Sequence, residues 1–217
     1  MYRDGQDLIT KGVNLENLLQ IHNIINIGEA VYQDILNMQS SILNSRYCST
    51  DLPRLRRAII YTQFEKEFLT QDFPFKCKAL KVNNFGLRIP ELSDENIIYH
   101  IARTKEKGIL PEPSNYRIKK ATLNNFVGKQ YILDGVFEPK QIEEKYYALI
   151  TYGGDEKIDF INLVIPDKNF QEVVGIKDLT NMNKLFENTN IQTNEAMTQR
   201  RMKLKEEVLK KIQVQGV

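Results

Sequence analysis

The sequence has no tryptophan, two cysteines, no long apolar run and almost no net charge, and each shortage removes a class of function. Ten tyrosines and ten phenylalanines are present, but they are spread along the chain rather than gathered into the stacking surface that single-strand binders use. Cys48 and Cys77 stand far apart and in no CxxC spacing, so the sequence encodes neither a disulfide framework nor a cysteine zinc site. Buried or neutral thiols are the expectation. No segment approaches the roughly 20 apolar residues that cross a bilayer, and MYRDGQDLITKG lacks the apolar core of a signal peptide. The chain is expected to stay in the cytoplasm, away from membranes.

Thirty basic and 28 acidic side chains leave a charge of +2, too little for a protein-wide field that gathers polyanions. Affinity for nucleic acid must therefore come from local patches. The sequence contains neither a G-x-x-x-x-G-K-[ST] loop nor a G-x-S-x-G elbow, which sets aside P-loop and serine-nucleophile chemistry. It also has no internal repeat and no low-complexity tract.

What is present is ordinary globular material: 217 residues, 41% hydrophobic and 27% charged, which suffices for one buried core and excludes compositional disorder. The expected fold class is α+β, with N-terminal helices, a mixed or antiparallel sheet centred on a hairpin, and a basic C-terminal helix. Residues 1–190 form the expected single domain, helical to about residue 74 and sheet-containing from about residue 75. Residues 191–217 form a linker and an amphipathic basic helix.

Leu18, Ile21, Ile25, Tyr32, Ile35 and Ile42 recur at helical steps, so Asn14 to about Leu43 reads as one long helix or two broken near Gly28. Asp51 is positioned to cap a second helix carrying Leu55, Ile59, Tyr61, Phe64 and Phe68, with Pro53 in its first turn. Phe75, Cys77 and Ala79 alternate with lysines up to Asn83 and Asn84, the period of a half-buried strand ending in a turn. Ser93, Asp94 and Glu95 predict the start of a short helix through Ile97, Ile98 and Ile101. GILPEPSN is a loop, and Tyr116 to Phe137 favours no single element. The clearest β signal is KYYALITYG, a Gly-Gly-Asp turn and IDFINLVIP, a hairpin expected at the sheet's centre because both faces are apolar. Phe170 to Ile176 adds a strand, and Asp178 to Phe186 a short helix.

Two stretches carry a resemblance. HIARTKEKGILPEPSNYR, together with TYGG and DFINLVIP, resembles a family of uncharacterised proteins from Gram-positive bacteria and their phages, over about Leu92 to Leu179. The resemblance implies a mobile element or its host as the setting, and it supplies no catalytic residues.

Three constellations are candidates for chemistry. The first is basic: His100, Arg103, Thr104, Lys105 and Lys107, followed by Arg117, Lys119 and Lys120, could grip phosphates through charge-assisted hydrogen bonds. The plainer reading is that cations at a helix end complement its dipole. Within the group His100 is a candidate general base beside a cation that lowers its pKa. Metal ligation by it is disfavoured, since His22 is distant and has no carboxylate at a suitable spacing. The second constellation is Asp134 followed by Glu143, Glu144 and Lys145. It matches the D…E-x-K pattern in which Asp134 and Glu143 would hold Mg²⁺ and Lys145 would support the attacking water. The third is the C-terminal helix. Arg200 and Arg201 contribute to its basic face, and Leu204 and Val208 to an apolar stripe that could dock on a partner or pack back on the domain.

The leading expectation is a non-enzymatic, cofactor-free binding protein of mobile-element or phage type, acting on a protein or nucleic-acid partner, with a homodimer compatible with the sequence. The alternative is a Mg²⁺-dependent nuclease.

Overall fold

The computed structural model describes residues 2–38, 43, 45–84, 86–126 and 145–182. The fold is α+β. Among the described residues the helices are α1 (Gly5–Gly12), α2 (Leu15–Met38), α3 (Leu52–Thr62) and α4 (Asn115–Ala121). The strands are β1 (Lys76–Lys81), β2 (Arg88–Ser93), β3 (Ile97–Arg103), β4 (Tyr146–Gly153), β5 (Phe160–Pro166) and β6 (Val173–Asp178). The chain packs as two compact units, one taking in Met1–Leu18 and Asp72–Thr180, the other centred on Leu19–Gln71. The expected helical part, about 1–74, is thus divided, and its first 18 residues belong with the sheet.

In the helical unit, Ile27, Val31, Tyr32 and Ile35 of α2 cluster with Ile59 of α3 and with Phe68. Of the two expected forms, one long helix or two broken near Gly28, the structure has the single helix, because the glycine serves packing rather than bending. A Cβ on Gly28 would lie 2.8 Å from the Cα of Ile60, so α3 comes closer than any side chain would permit. Beside that contact Arg56 makes a buried bidentate pair with Glu29, at 2.6 and 2.7 Å, and its guanidinium stands over the Tyr32 ring. The start of α3 differs from expectation: Pro53 sits in the first turn as predicted, but the Asp51 side chain makes no cap bond and pairs with Arg54 instead. The helix also stops at Thr62, so Phe64 and Phe68 are buried from the turns beyond it.

The other unit is a six-stranded sheet in sequence order β1 to β6, antiparallel throughout except for the parallel pair β3 and β4. As expected, the β4–β5 hairpin is interior, and every residue of both strands is buried. Apolar, β-branched and aromatic side chains on both faces leave these strands no solvent side, so they must lie between neighbours. The predicted strand after Pro74 is β1, and Asn83 turns it by accepting the Leu87 N–H at 2.9 Å. The strand expected near Phe170 begins instead at Val173. Phe170 itself occupies a left-handed conformation, φ 59°, in a turn whose N–H groups converge on the Asp167 carboxylate.

One element is corrected in kind. The expected helix through Ile97, Ile98 and Ile101 is strand β3, paired with β4 along its whole length. Asp94 does accept backbone bonds, from Asn96 and Ile97 at 2.8 and 2.7 Å, but these close a turn between β2 and β3. The chemistry that caps a helix also caps a turn, and the β-branched run then follows β4. Helix α1 was not anticipated, although Asp4 caps it by accepting the Asp7 N–H. It lies on β6, where a Cβ on Gly175 would meet the Gly5 carbonyl at 2.6 Å. The helix expected from Asp178 to Phe186 does not start there: Asp178 ends β6 and residues 179–181 lead into a turn, while residues 183–186 and the basic C-terminal helix lie outside the described residues.

Candidate functional site

One face of the sheet carries an unbroken cross-strand row: Lys78 of β1 opposite Glu91 of β2, Glu91 opposite His100 of β3, then Leu149 of β4 and Val164 of β5. Because alternate residues of a strand share a face, Tyr147 stands beside Leu149 on the same side. Helix α4 covers this face, with Ala121 packed among Ala102, Tyr147, Leu149, Val164 and Phe170.

The polar half of the row is a closed network. His100 Nε2 lies 2.9 Å from Glu91 Oε2, and His100 Nδ1 lies 3.0 Å from the Tyr147 hydroxyl. Two ammonium groups reach the same carboxylate, Lys78 on Oε1 and Lys120 of α4 on Oε2, each at 2.8 Å. Burial pushes the Glu91 carboxyl up, but the bonds from His100, Lys120 and Lys78 outweigh it and hold the group well below the usual carboxylate range. Burial pushes His100 down. Glu91 opposes that shift, while the charges of Lys120 and Arg117 reinforce it, so the imidazole is neutral. An ionised Glu91 can only accept, which makes Nε2 the protonated nitrogen and leaves Nδ1 to accept the Tyr147 O–H. Glu91, His100 and Tyr147 are 3%, 1% and 0% exposed, so the relay ends inside the protein.

Tyr147 is fixed from behind as well. Asn124, just beyond α4, accepts the Tyr147 N–H and donates to the carbonyls of Tyr147 and Pro166, all at 2.8 Å, joining β4 to β5. Two strand positions further along the same face, Thr151 and Asn162 pair across β4 and β5, fully buried. Among the described residues, the Thr151 hydroxyl and both amide atoms of Asn162 have no hydrogen-bond partner.

The residues expected to carry function are dispersed. In an extended β3, His100 and Thr104 share a face while Arg103 points to the other, where it donates to the Gly154 carbonyl at 3.3 Å. The cation that helps depress His100 is therefore Lys120, with Arg117, rather than Arg103. Lys105 is exposed in the turn after β3, and Lys107 pairs with Asp178 at 2.5 Å. Arg117 donates to the Glu112 carbonyl at 2.6 Å and lies over the Tyr116 ring, while Lys119 is exposed on α4. Lys145 donates to the Asp94 carbonyl at 2.5 Å. Asp134, Glu143, Arg200, Arg201, Leu204 and Val208 lie outside the described residues. Lys78, Glu91, Tyr147 and Asn124 were missed, since each is separated in sequence from the partners it meets.

The charge around this network is one-sided. β1 carries Lys76, Lys78 and Lys81, β2 carries Arg88, and α4 carries Arg117, Lys119 and Lys120. Lys81 and Arg88 pair with each other an odd number of positions from Lys78 and Glu91 and so lie on the other face of the sheet, which leaves five cations, Lys76, Lys78, Arg117, Lys119 and Lys120, on the side of the buried Glu91. Comparison with protein-family models, with curated proteins and with solved structures gives no match for this chain.

Proposed function

We propose that the chain is a non-enzymatic binding protein whose partner is a polyanion, a duplex nucleic acid being the class that suits it, gripped through β1, β2 and α4. The carrying observation is the segregation of charge: on the face that α4 covers, a chain of net +2 places Lys76, Lys78, Arg117, Lys119 and Lys120 around one sealed acid, Glu91. Contacts to a phosphate backbone need positive charge in a fixed array and no aromatic platform, which agrees with the scattered tyrosines and phenylalanines. The mobile-element or phage setting rests on the sequence resemblance alone.

The nuclease alternative draws no support from the described residues. Lys145 is engaged by a backbone carbonyl, and Asp134 and Glu143, the residues that would hold Mg²⁺, lie outside them. The test is fluorescence anisotropy with a short labelled DNA duplex over a salt series. Binding that weakens log-linearly with salt supports the proposal, and binding should also weaken in the Lys78→Ala, Lys119→Ala and Lys120→Ala variants. Capture of a protein partner with no duplex binding at low salt would replace it.

A further inference from the structure

We infer that Glu91 is a positioning residue that sets Lys78 and Lys120 as a two-pronged clamp for a single phosphate, an inference that rests on the polyanion reading above and specifies its contact. Each ammonium has three N–H donors and gives one of them to Glu91, at 2.8 Å, which leaves two on each for a ligand. The two prongs come from different elements, β1 and α4. They are held on the two oxygens of one carboxylate, so that carboxylate fixes the distance between them. Lys78 remains 68% exposed and Lys120 26% exposed, so both can still reach solvent.

Glu91 itself is locked from below by His100, and His100 by Tyr147, so the anchor cannot swing out with the lysines. With His100 neutral, Lys78, Lys120 and Arg117 against Glu91 leave the charge in favour of an anion. Lysines on flexible stems lose rotamer freedom when they close on a phosphate, and prongs ordered beforehand lose less. The ligand chemistry is a phosphate oxyanion, whether in a duplex backbone or free in solution.

An anchored clamp and simple charge counting predict opposite outcomes at Glu91. Removing an acid from a basic surface should tighten anion binding, whereas removing the anchor of a clamp should weaken it. Glu91→Gln is therefore expected to bind a labelled DNA duplex about threefold to tenfold more weakly than wild type. Its circular dichroism and melting are measured alongside, and tighter binding by a folded Glu91→Gln overturns the clamp.

A second measurement does not depend on that variant folding. If both lysines hold one phosphate, Lys78→Ala/Lys120→Ala should reduce the salt slope by about 0.9, the value for one phosphate, and two independent contacts would remove about twice that. A loss of two phosphates overturns the inference. Inorganic phosphate, followed by NMR of the Lys78 and Lys120 amides, separates this inference from the broader reading. If the duplex does not bind but phosphate shifts both signals in wild type and not in the double variant, the nucleic-acid reading fails and the clamp stands. Phosphate that shifts neither signal overturns the clamp.

Discussion

Along the row Lys78, Glu91, His100, Leu149, Val164 the sheet passes from a charged margin to an apolar centre, and the two ends bury polar groups in different ways. At the margin every polar atom of Glu91 and His100 has a partner, and the chain extends this pairing through Tyr147. At the centre, two positions further along, Thr151 and Asn162 are fully buried with three side-chain atoms that have no partner among the described residues. A margin strand has cations from a neighbouring helix within reach. Among the described residues, Thr151 and Asn162 have no such cation within reach, and a buried polar atom left without a partner carries the cost of its lost hydration.

The largest expected effect tests the apolar end. Phe160→Ala on β5 should destabilise the protein by about 3–5 kcal/mol in chemical denaturation, because a buried ring leaves a cavity that strands held on both edges cannot close. A midpoint close to wild type would mean that the β4–β5 pair is not the centre of the fold.

The charged end should respond to a smaller change. Tyr147→Phe keeps the ring packed but strands His100 Nδ1 without a donor, for an expected cost of about 1–3 kcal/mol. A variant as stable as wild type would show that the network is not paired as described.

Acid sharpens the same contrast. His100 and Glu91 both lie below their ordinary values of 6.5 and 4.5, so in each case the unfolded chain takes up a proton that the folded chain refuses. Their contribution is fully present above the ordinary value and is lost as pH falls toward the folded one. Stability should decline below pH 6.5 as the unfolded His100 protonates, and more steeply below 4.5 as Glu91 joins it. NMR titration of the His100 ring with an ordinary midpoint would remove the upper step.

The smallest effect is expected at the unpaired site. Thr151→Val replaces a buried hydroxyl that has no partner among the described residues with a methyl group of similar shape, and should leave stability unchanged within about 0.5 kcal/mol or raise it. A loss of more than about 1 kcal/mol would show that the hydroxyl is bonded after all.

Helix α2, strand β1 with its Asn83 turn, and the β4–β5 hairpin were legible because their signals are local: a 3.6-residue apolar period, alternation, and an apolar run on each side of Gly-Gly-Asp. The site was barely legible. His100, Lys120 and Arg117 drew notice as polar residues near one another in sequence, but Glu91 and Lys78 resemble ordinary surface charges. Tyr147 resembles one more core aromatic.

The sequence by itself determined the α+β class, the central hairpin and the near-neutral charge, because composition and periodicity act over a few residues at a time. Tertiary structure decided that Ser93, Asp94 and Glu95 end β2 and turn into β3 rather than start a helix, since a capping carboxylate serves either and only pairing with β4 selects between them. It also decided which charges meet. Register brings residues 78, 91 and 100 into one row, and α4 brings Lys120 over it, through separations of 9 to 47 residues that no local pattern encodes.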